Sequence, residues 1–133
     1  MIPPFDRHGY LPPGIHPATI DEVEARFGRE SEVRRVQMDS LRWLIEIAHR
    51  AGVARLVVNG SFVTDELEPN DVDRVLLIGA GFPLDDAAEL ELNAGLPFLE
   101  LNLVRRADFD LLVDQYFATD RQSVRKGVVE IKL

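Results

Sequence analysis

The sequence predicts an α/β (α+β) fold in which a mixed β-sheet of about four strands is flanked by helices. Short apolar runs alternate along the chain with amphipathic stretches, as they do when strands are interleaved with helices. About a dozen residues join the first two predicted strands, which is too few for the usual helical crossover, so these strands should pair antiparallel. At 133 residues, the chain is expected to form a single domain, residues 1–133.

The first part of the chain is predicted to hold an arm and two helices. Residues 1–17 are rich in proline and should form an extended arm on the surface. Thr19 and Glu22 have the spacing of a capping box, which begins a short helix. A longer helix should begin after Ser31 and stop at Gly52. Its buried apolar stripe is predicted to comprise Val33, Val36, Leu41, Leu44, Ile47, Ala48 and Ala51.

The rest of the chain is predicted to alternate strands with helices. The strands are expected at about residues 55–59, 72–78, 98–104 and 128–133. The helices are expected at 83–93, with Asp85 or Asp86 at the start, and at 107–117. The first two strands are almost continuously apolar, which is typical of strands buried on both faces. The sheet is therefore expected to have helices on both sides.

A Gly-Ser turn follows the first of these strands, and two aspartates open the second. Nine residues separate Ser61 from Asp71. Because side chains alternate along a strand, Asp71 and Asp73 should share one face, about 7 Å apart. Such carboxylates can bind divalent cations, which prefer hard oxygen ligands. The turn at Gly60 and Ser61 can offer N–H groups and a hydroxyl to a phosphate.

These residues resemble the signature of the polymerase-β-type nucleotidyltransferase superfamily. In that signature apolar-Gly-Ser is followed, about nine to thirteen residues later, by Asp-apolar-(Asp/Glu)-apolar. The chain departs from it at Arg74, where an apolar residue is usual. The chain also looks like a small uncharacterised bacterial group of stand-alone nucleotidyltransferase-like proteins. The segments that carry this second resemblance are residues 11–16, 60–64, 69–73 and 120–129.

The resemblance implies a nucleotidyltransferase-like fold and a third carboxylate on a later strand, for which Glu100 is the candidate. Asp71, Asp73 and Glu100 would then be the catalytic residues and the ligands of Mg²⁺ or Mn²⁺. Gly60 and Ser61 would bind the phosphates of a nucleoside triphosphate such as ATP. The nucleoside monophosphate would pass to a hydroxyl of a protein or RNA acceptor. Relatives of this size often act with toxin–antitoxin or defence partners, and that context is expected here by analogy.

Basic residues near the C-terminus are a second candidate for nucleotide binding. Arg125 and Lys126 lie between the last predicted helix and the last strand, where a loop could face a triphosphate. The alternative is ordinary solvated charge near a chain end. On the strand of Glu100, Asn102 shares its predicted face and could support the metal ligands.

The composition of the chain argues against several classes of function and location. The net charge of −8 argues against non-specific DNA binding, which needs a surplus of Lys and Arg. The chain has no cysteine, so disulfides and thiolate sites are excluded. No apolar run reaches the ~20 residues of a membrane span, and a cytoplasmic location is expected. Two function classes stay open, a minimal transferase and an inactive module that binds a protein partner, and either could be a homo-oligomer.

Overall fold

A computed structural model describes residues 2–70, 72–79, 81–94, 99–116 and 118–133, with only the backbone of residues 99–103, 115 and 116. The strands are β1 (Gly14–Ala18), β2 (Val53–Asn59), β3 (Val72–Ile78), β4 (Leu99–Val104) and β5 (Gly127–Ile131). The helices are α1 (Ile20–Phe27), α2 (Glu32–Ala51), α3 (Asp86–Ala94) and α4 (Arg106–Leu111). The predicted fold class is confirmed.

The strands form one mixed sheet in the order β1-β5-β2-β3-β4. The central strand β2 is antiparallel to both of its neighbours, β3 and β5. Parallel pairs lie at the two margins, β1 with β5 and β3 with β4. The antiparallel pairing of β2 with β3 was predicted from the short connection between them, and it is confirmed.

The N-terminal arm contributes a fifth strand that was not predicted. Residues 14–18 form β1 at the edge of the sheet, and Leu11 just before it is fully buried. The amide N–H of Gly127 donates to the Leu11 carbonyl oxygen at 2.9 Å. An edge strand pairs on one side only, so it tolerates Pro17, which lacks an N–H. The description of residues 1–17 as a surface arm is therefore wrong for residues 14–17, which belong to the sheet.

The caps of the first two helices are those expected from sequence. The Thr19 hydroxyl accepts a hydrogen bond from the Glu22 N–H at 3.2 Å, and the Glu22 carboxylate accepts one from the Thr19 N–H at 3.1 Å. Helix α2 begins after Ser31, whose hydroxyl accepts from an N–H one turn later. It ends at Gly52, which has a φ of +91°.

The buried face of α2 differs from the predicted apolar stripe. Val36 is 47% exposed, whereas Arg34 and Gln37 are buried beside Met38. Both polar side chains find hydrogen-bond acceptors in a distant loop, as described below, and these bonds offset part of the cost of burying them. The helix is therefore turned relative to the predicted stripe near its N-terminus.

The later helices differ from prediction at their ends. Helix α3 runs from Asp86 to Ala94, so Asp85 and Asp86 stand at its start as predicted, and the Asp85 carboxylate accepts from the Ala88 N–H at 3.1 Å. Helix α4 is α-helical over Arg106–Leu111 and continues as a wider π-helical turn, Leu112–Tyr116. The predicted starting residue of the third strand, 98, and the predicted last residue of this helix, 117, lie outside the described residues.

The sheet separates two apolar clusters, and alternation along β3 distributes its side chains between them. The larger cluster packs α1, α2 and α3 against residues such as Val58, Val72 and Leu76. The smaller one packs α4 against Val57, Val75 and Val128. Side chains alternate along a strand, so Asp73 lies on the α4 face of β3 and Arg74 on the α2 face. Of the helices in the described part of the chain, none is long and apolar enough to cross a membrane.

Candidate functional site

The predicted site residues gather at one end of the sheet. The last residue of β2, Asn59, is the register partner of Asp73 near the start of β3. On the next strand, Asp73 is in register with Glu100, and Val75 with Asn102. Asp71 and the side chains of β4 up to residue 103 lie outside the described part of the structure. The backbone thus brings the strand positions of Asp73 and Glu100 side by side.

The Gly-Ser turn lies directly against the Asp73 carboxylate. Residues Gly60–Val63 form a single 3₁₀ turn that continues β2, and Gly60 has a φ of +77°. A Cβ atom at this position would lie 2.3 Å from Asp73 Oδ2. Position 60 therefore requires glycine both for its backbone conformation and for the close approach of the carboxylate. The structure brings together two of the predicted site residues, Gly60 and Asp73.

Arg34 of α2 holds this turn and the loop that follows it. Its side chain is 2% exposed, and within the described part of the chain its guanidinium donates to backbone carbonyl oxygens. The acceptors are the carbonyls of Phe27 (3.0 Å), Ser61 (3.4 Å), Phe62 (2.7 Å), Thr64 (2.9 Å) and Glu66 (3.0 Å). Burial lowers the pKa of Arg34 from its ordinary value because the charged form loses hydration.

Two further side chains of α2 and its cap hold the rest of the loop. The Ser31 hydroxyl donates to the Leu67 carbonyl oxygen at 2.7 Å, and the Gln37 amide donates to the Pro69 carbonyl oxygen. Together with Arg34 they occupy positions 31, 34 and 37 on one side of the helix. The sequence reasoning missed these residues. The available signal was three polar side chains at helical spacing in line with the apolar stripe.

The described oxygen atoms at this end of the sheet are of the chemical type that a hard divalent cation binds. Asp73 supplies a carboxylate, and its register partner Asn59 is 1% exposed. Among the described residues, nothing forms a hydrogen bond with Asn59 Oδ1. Carboxylate and amide oxygens are ligands that Mg²⁺ and Mn²⁺ accept. Within the described part of the chain, no three histidine or acidic side chains cluster closely enough to hold a metal ion.

Arg74 introduces a charge on the opposite face of β3. It is fully buried, in a position where the nucleotidyltransferase signature has an apolar residue. Loss of hydration lowers the pKa of Arg74 to about 9, and the negative charge of Asp73 opposes this shift. Asp73 therefore has a buried cationic neighbour in sequence, on the opposite face of the same strand.

The basic residues near the C-terminus lie at the same end of the sheet as Asp73. Val58 pairs with Val129, so the segment just before β5 lies beside the Gly-Ser turn. Arg125 and Lys126 line a small cavity of about 70 Å³ together with Asp114. Two strand spacings, or about 10 Å, separate β5 from β3. The structure thus sets these cations apart from Asp73, although they share its end of the sheet.

The N-terminal arm connects the Gly-Ser loop to the basic segment. The Asp65 N–H donates to the Gly9 carbonyl oxygen at 3.0 Å, and Tyr10 pairs with Thr64 in an isolated bridge. The Tyr10 hydroxyl donates to Asp120 at 2.7 Å, which raises the pKa of Tyr10 and lowers that of Asp120. No part of this connection was predicted from the sequence.

Comparison with known proteins identifies a family. Residues 3–132 match a family that is described as a family of unknown function (DUF6932). No curated protein and no solved structure matches the chain. The match covers nearly the whole chain, and the protein therefore belongs to the DUF6932 family.

Proposed function

We propose that the protein is a minimal metal-dependent nucleotidyltransferase that transfers a nucleoside monophosphate from a nucleoside triphosphate to a protein or RNA hydroxyl. The observation that carries the proposal is the contact between Gly60 and the Asp73 carboxylate, with Glu100 in register beside Asp73. A phosphate-binding turn beside acidic residues of adjacent strands is what this chemistry needs. The resemblance to polymerase-β-type nucleotidyltransferases supports the same reaction.

In the proposed reaction the acceptor hydroxyl oxygen attacks the α-phosphorus of the triphosphate. A new P–O bond forms and the acceptor hydroxyl loses its proton to solvent, while the bond from the α-phosphorus to the bridging oxygen breaks and pyrophosphate leaves. Gly60 and Ser61 would hold the β- and γ-phosphates through N–H groups and a hydroxyl. Asp71, Asp73 and Glu100 would hold Mg²⁺ or Mn²⁺. Held there, the cation would supply positive charge that stabilises the phosphate oxygens.

Arg125 and Lys126 are the proposed contacts for the outer part of the triphosphate. They lie at the same end of the sheet as the Gly-Ser turn, and the separation between β5 and β3 is about 10 Å. An extended triphosphate can bridge a distance of this order. Their cationic side chains would offset the charge of the leaving pyrophosphate.

A second candidate is a module that keeps the fold, has lost the transfer reaction and binds a protein partner. The departure at Arg74 favours it, because a buried cation next to Asp73 in the chain is foreign to the signature. Both candidates are consistent with the expected cytoplasmic location and with a toxin–antitoxin or defence context.

Calorimetry with Mn²⁺ and each nucleoside triphosphate tests the proposal. The Asp71→Asn/Asp73→Asn variant should lose triphosphate binding, because the cation that screens the phosphates loses its ligands. The matched control is Asp85→Asn/Asp86→Asn, which removes the same charge at the start of α3. Wild-type affinity in the first variant would contradict the proposed metal site.

A transfer assay separates the two candidates. Wild-type protein with labelled triphosphate and a cell extract should release pyrophosphate and label an acceptor. Glu100→Gln should slow labelling strongly while triphosphate binding persists. If the wild type binds triphosphate or a partner tightly and labels no acceptor, the protein is the partner-binding module and not a transferase.

A further inference from the structure

A polar stripe at the start of α2 holds the loop that joins the Gly-Ser turn to β3. This stripe consists of Ser31, Arg34 and Gln37, and its hydrogen bonds reach carbonyl oxygens between residues 61 and 69. We infer that Arg34 is a positioning residue, whose guanidinium holds the Gly60–Ser61 turn at the correct distance from Asp73 for triphosphate binding. The inference rests on the proposed function.

The turn is held from two opposite sides. On one side, Arg34 donates to the carbonyl oxygens of Ser61 and Phe62. On the other side, the Cα atom of Gly60 lies against the Asp73 carboxylate. With its carbonyls held by α2, the turn cannot move away from β3 without breaking charge-assisted hydrogen bonds in a buried place. The position of the turn relative to Asp73 is therefore set by α2.

The bonds of Arg34 are concentrated on the loop. Four of the five carbonyls that it binds belong to residues 61–66, and the fifth is Phe27 at the end of α1. The sheet itself receives none of these bonds. Replacing Arg34 by lysine should loosen the loop more than the core, because the bonds of Arg34 go to the loop. Lysine cannot replace them all, since it has fewer donors and no fixed fork geometry. This selectivity distinguishes a positioning role from general support of the fold.

The test compares Arg34→Lys and Arg34→Met with wild type. Amide hydrogen exchange compares the exchange rates of the loop (residues 60–69) with those of the sheet (residues 127–131). Calorimetry measures Mn²⁺ alone and Mn²⁺-ATP. In Arg34→Lys we expect loop exchange and the dissociation constant for Mn²⁺-ATP each to rise about tenfold or more, because at least one charge-assisted bond is lost. Exchange in the sheet and the affinity for Mn²⁺ alone should change less than about twofold, since the carboxylates stay in place.

Two variants control the comparison. Arg42→Lys changes an arginine of the same helix that forms ion pairs with Asp21 and Glu24 of α1, and it should leave both measurements unchanged. Gln37→Leu removes one bond at the far end of the loop and keeps the buried volume. It should weaken Mn²⁺-ATP binding about threefold. If the Arg34 variants do not fold, Gln37→Leu is used as the test variant in their place.

The outcomes separate this inference from the proposed function. If folded Arg34→Lys binds Mn²⁺-ATP with unchanged affinity, the positioning role is wrong and the proposed function still stands. The same holds for Gln37→Leu where it is the variant tested. Equal losses for Mn²⁺ alone and for Mn²⁺-ATP would also overturn it, because the whole site would then depend on Arg34. If wild type binds no Mn²⁺-ATP, the proposed function fails on the wild-type measurement itself, and the inference fails with it.

Discussion

Replacing Gly60 by alanine directly disturbs the contact between the Gly-Ser turn and Asp73 of β3. Gly60 has a φ of +77°, and an added Cβ would lie 2.3 Å from Asp73 Oδ2. The substitution therefore has two costs. Backbone strain at positive φ is about 1–2 kcal/mol, and displacement of a packed group typically adds about 1–3 kcal/mol.

Gly52→Ala separates the two costs. Gly52 also has positive φ, at +91°, but its added Cβ would meet Leu84, a side chain that is 70% exposed and able to rotate away. This variant should show the backbone cost of about 1–2 kcal/mol alone. Gly60→Ala should lose about 1–3 kcal/mol more than Gly52→Ala, since it must also move the Asp73 carboxylate.

Urea unfolding of both variants gives these differences. A double-mutant cycle between Gly60→Ala and Asp73→Ala isolates the contact, with an expected coupling of about 1–3 kcal/mol, because the clash disappears with the carboxylate. Mn²⁺-ATP binding should weaken in Gly60→Ala and stay unchanged in Gly52→Ala.

Two results would refute this reasoning. Equal destabilisation by the two alanines would mean that backbone strain is the whole effect. A coupling near zero would mean that the Asp73 carboxylate yields freely to the new methyl group.

Three other predictions concern the charged residues around the site. Arg74→Met should raise the free energy of unfolding at pH 7, because loss of hydration outweighs the attraction of Asp73 for this buried charge. The folded-state pKa of about 9 lies below the ordinary 12.5, so this penalty is fully present below pH 9 and shrinks as the pH rises toward 12.5. Urea unfolding at pH 7 and pH 10 checks both statements, and a less stable Arg74→Met would contradict them. Tyr10→Phe should raise the pKa of Asp120 toward its ordinary value, measured by NMR titration. Because the pKa of Asp120 is lowered in the folded state, the stability lost in Tyr10→Phe should be seen above pH 4 and vanish as the pH falls below that pKa. Arg125→Ala/Lys126→Ala should weaken ATP binding about tenfold or more and AMP binding much less, and equal losses would assign these cations to the α-phosphate or the sugar.

Local chemistry allowed the caps and the main pairing to be predicted. Thr19 with Glu22, Ser31 and Gly52 act on neighbours within one helical turn, so sequence spacing alone is enough to recognise them. The antiparallel pairing of β2 with β3 follows from the length of their connection. In contrast, β1 pairs with β5, more than a hundred residues away, and nothing in its local sequence indicates that partner.

The candidate site was predictable only where its residues belong to a motif. Gly60 and Asp73 were recognised through spacing and alternation, and they are in contact. Arg34 was missed because its burial depends on carbonyl oxygens of residues 61–66, which come near only after folding. For the same reason Tyr10 was missed, since its partner Asp120 is 110 residues away.

The way in which Arg34 holds the loop bears on how members of this family can diverge. Its guanidinium recognises main-chain oxygens, which every amino acid supplies. The side chains of the loop can therefore be exchanged over generations without loss of that support, provided the chain keeps its path. Residues such as Leu67, which is 59% exposed, can then change without disturbing these hydrogen bonds. A single arginine on a helix would let the rim of the loop evolve quickly while the Gly-Ser turn stays in place.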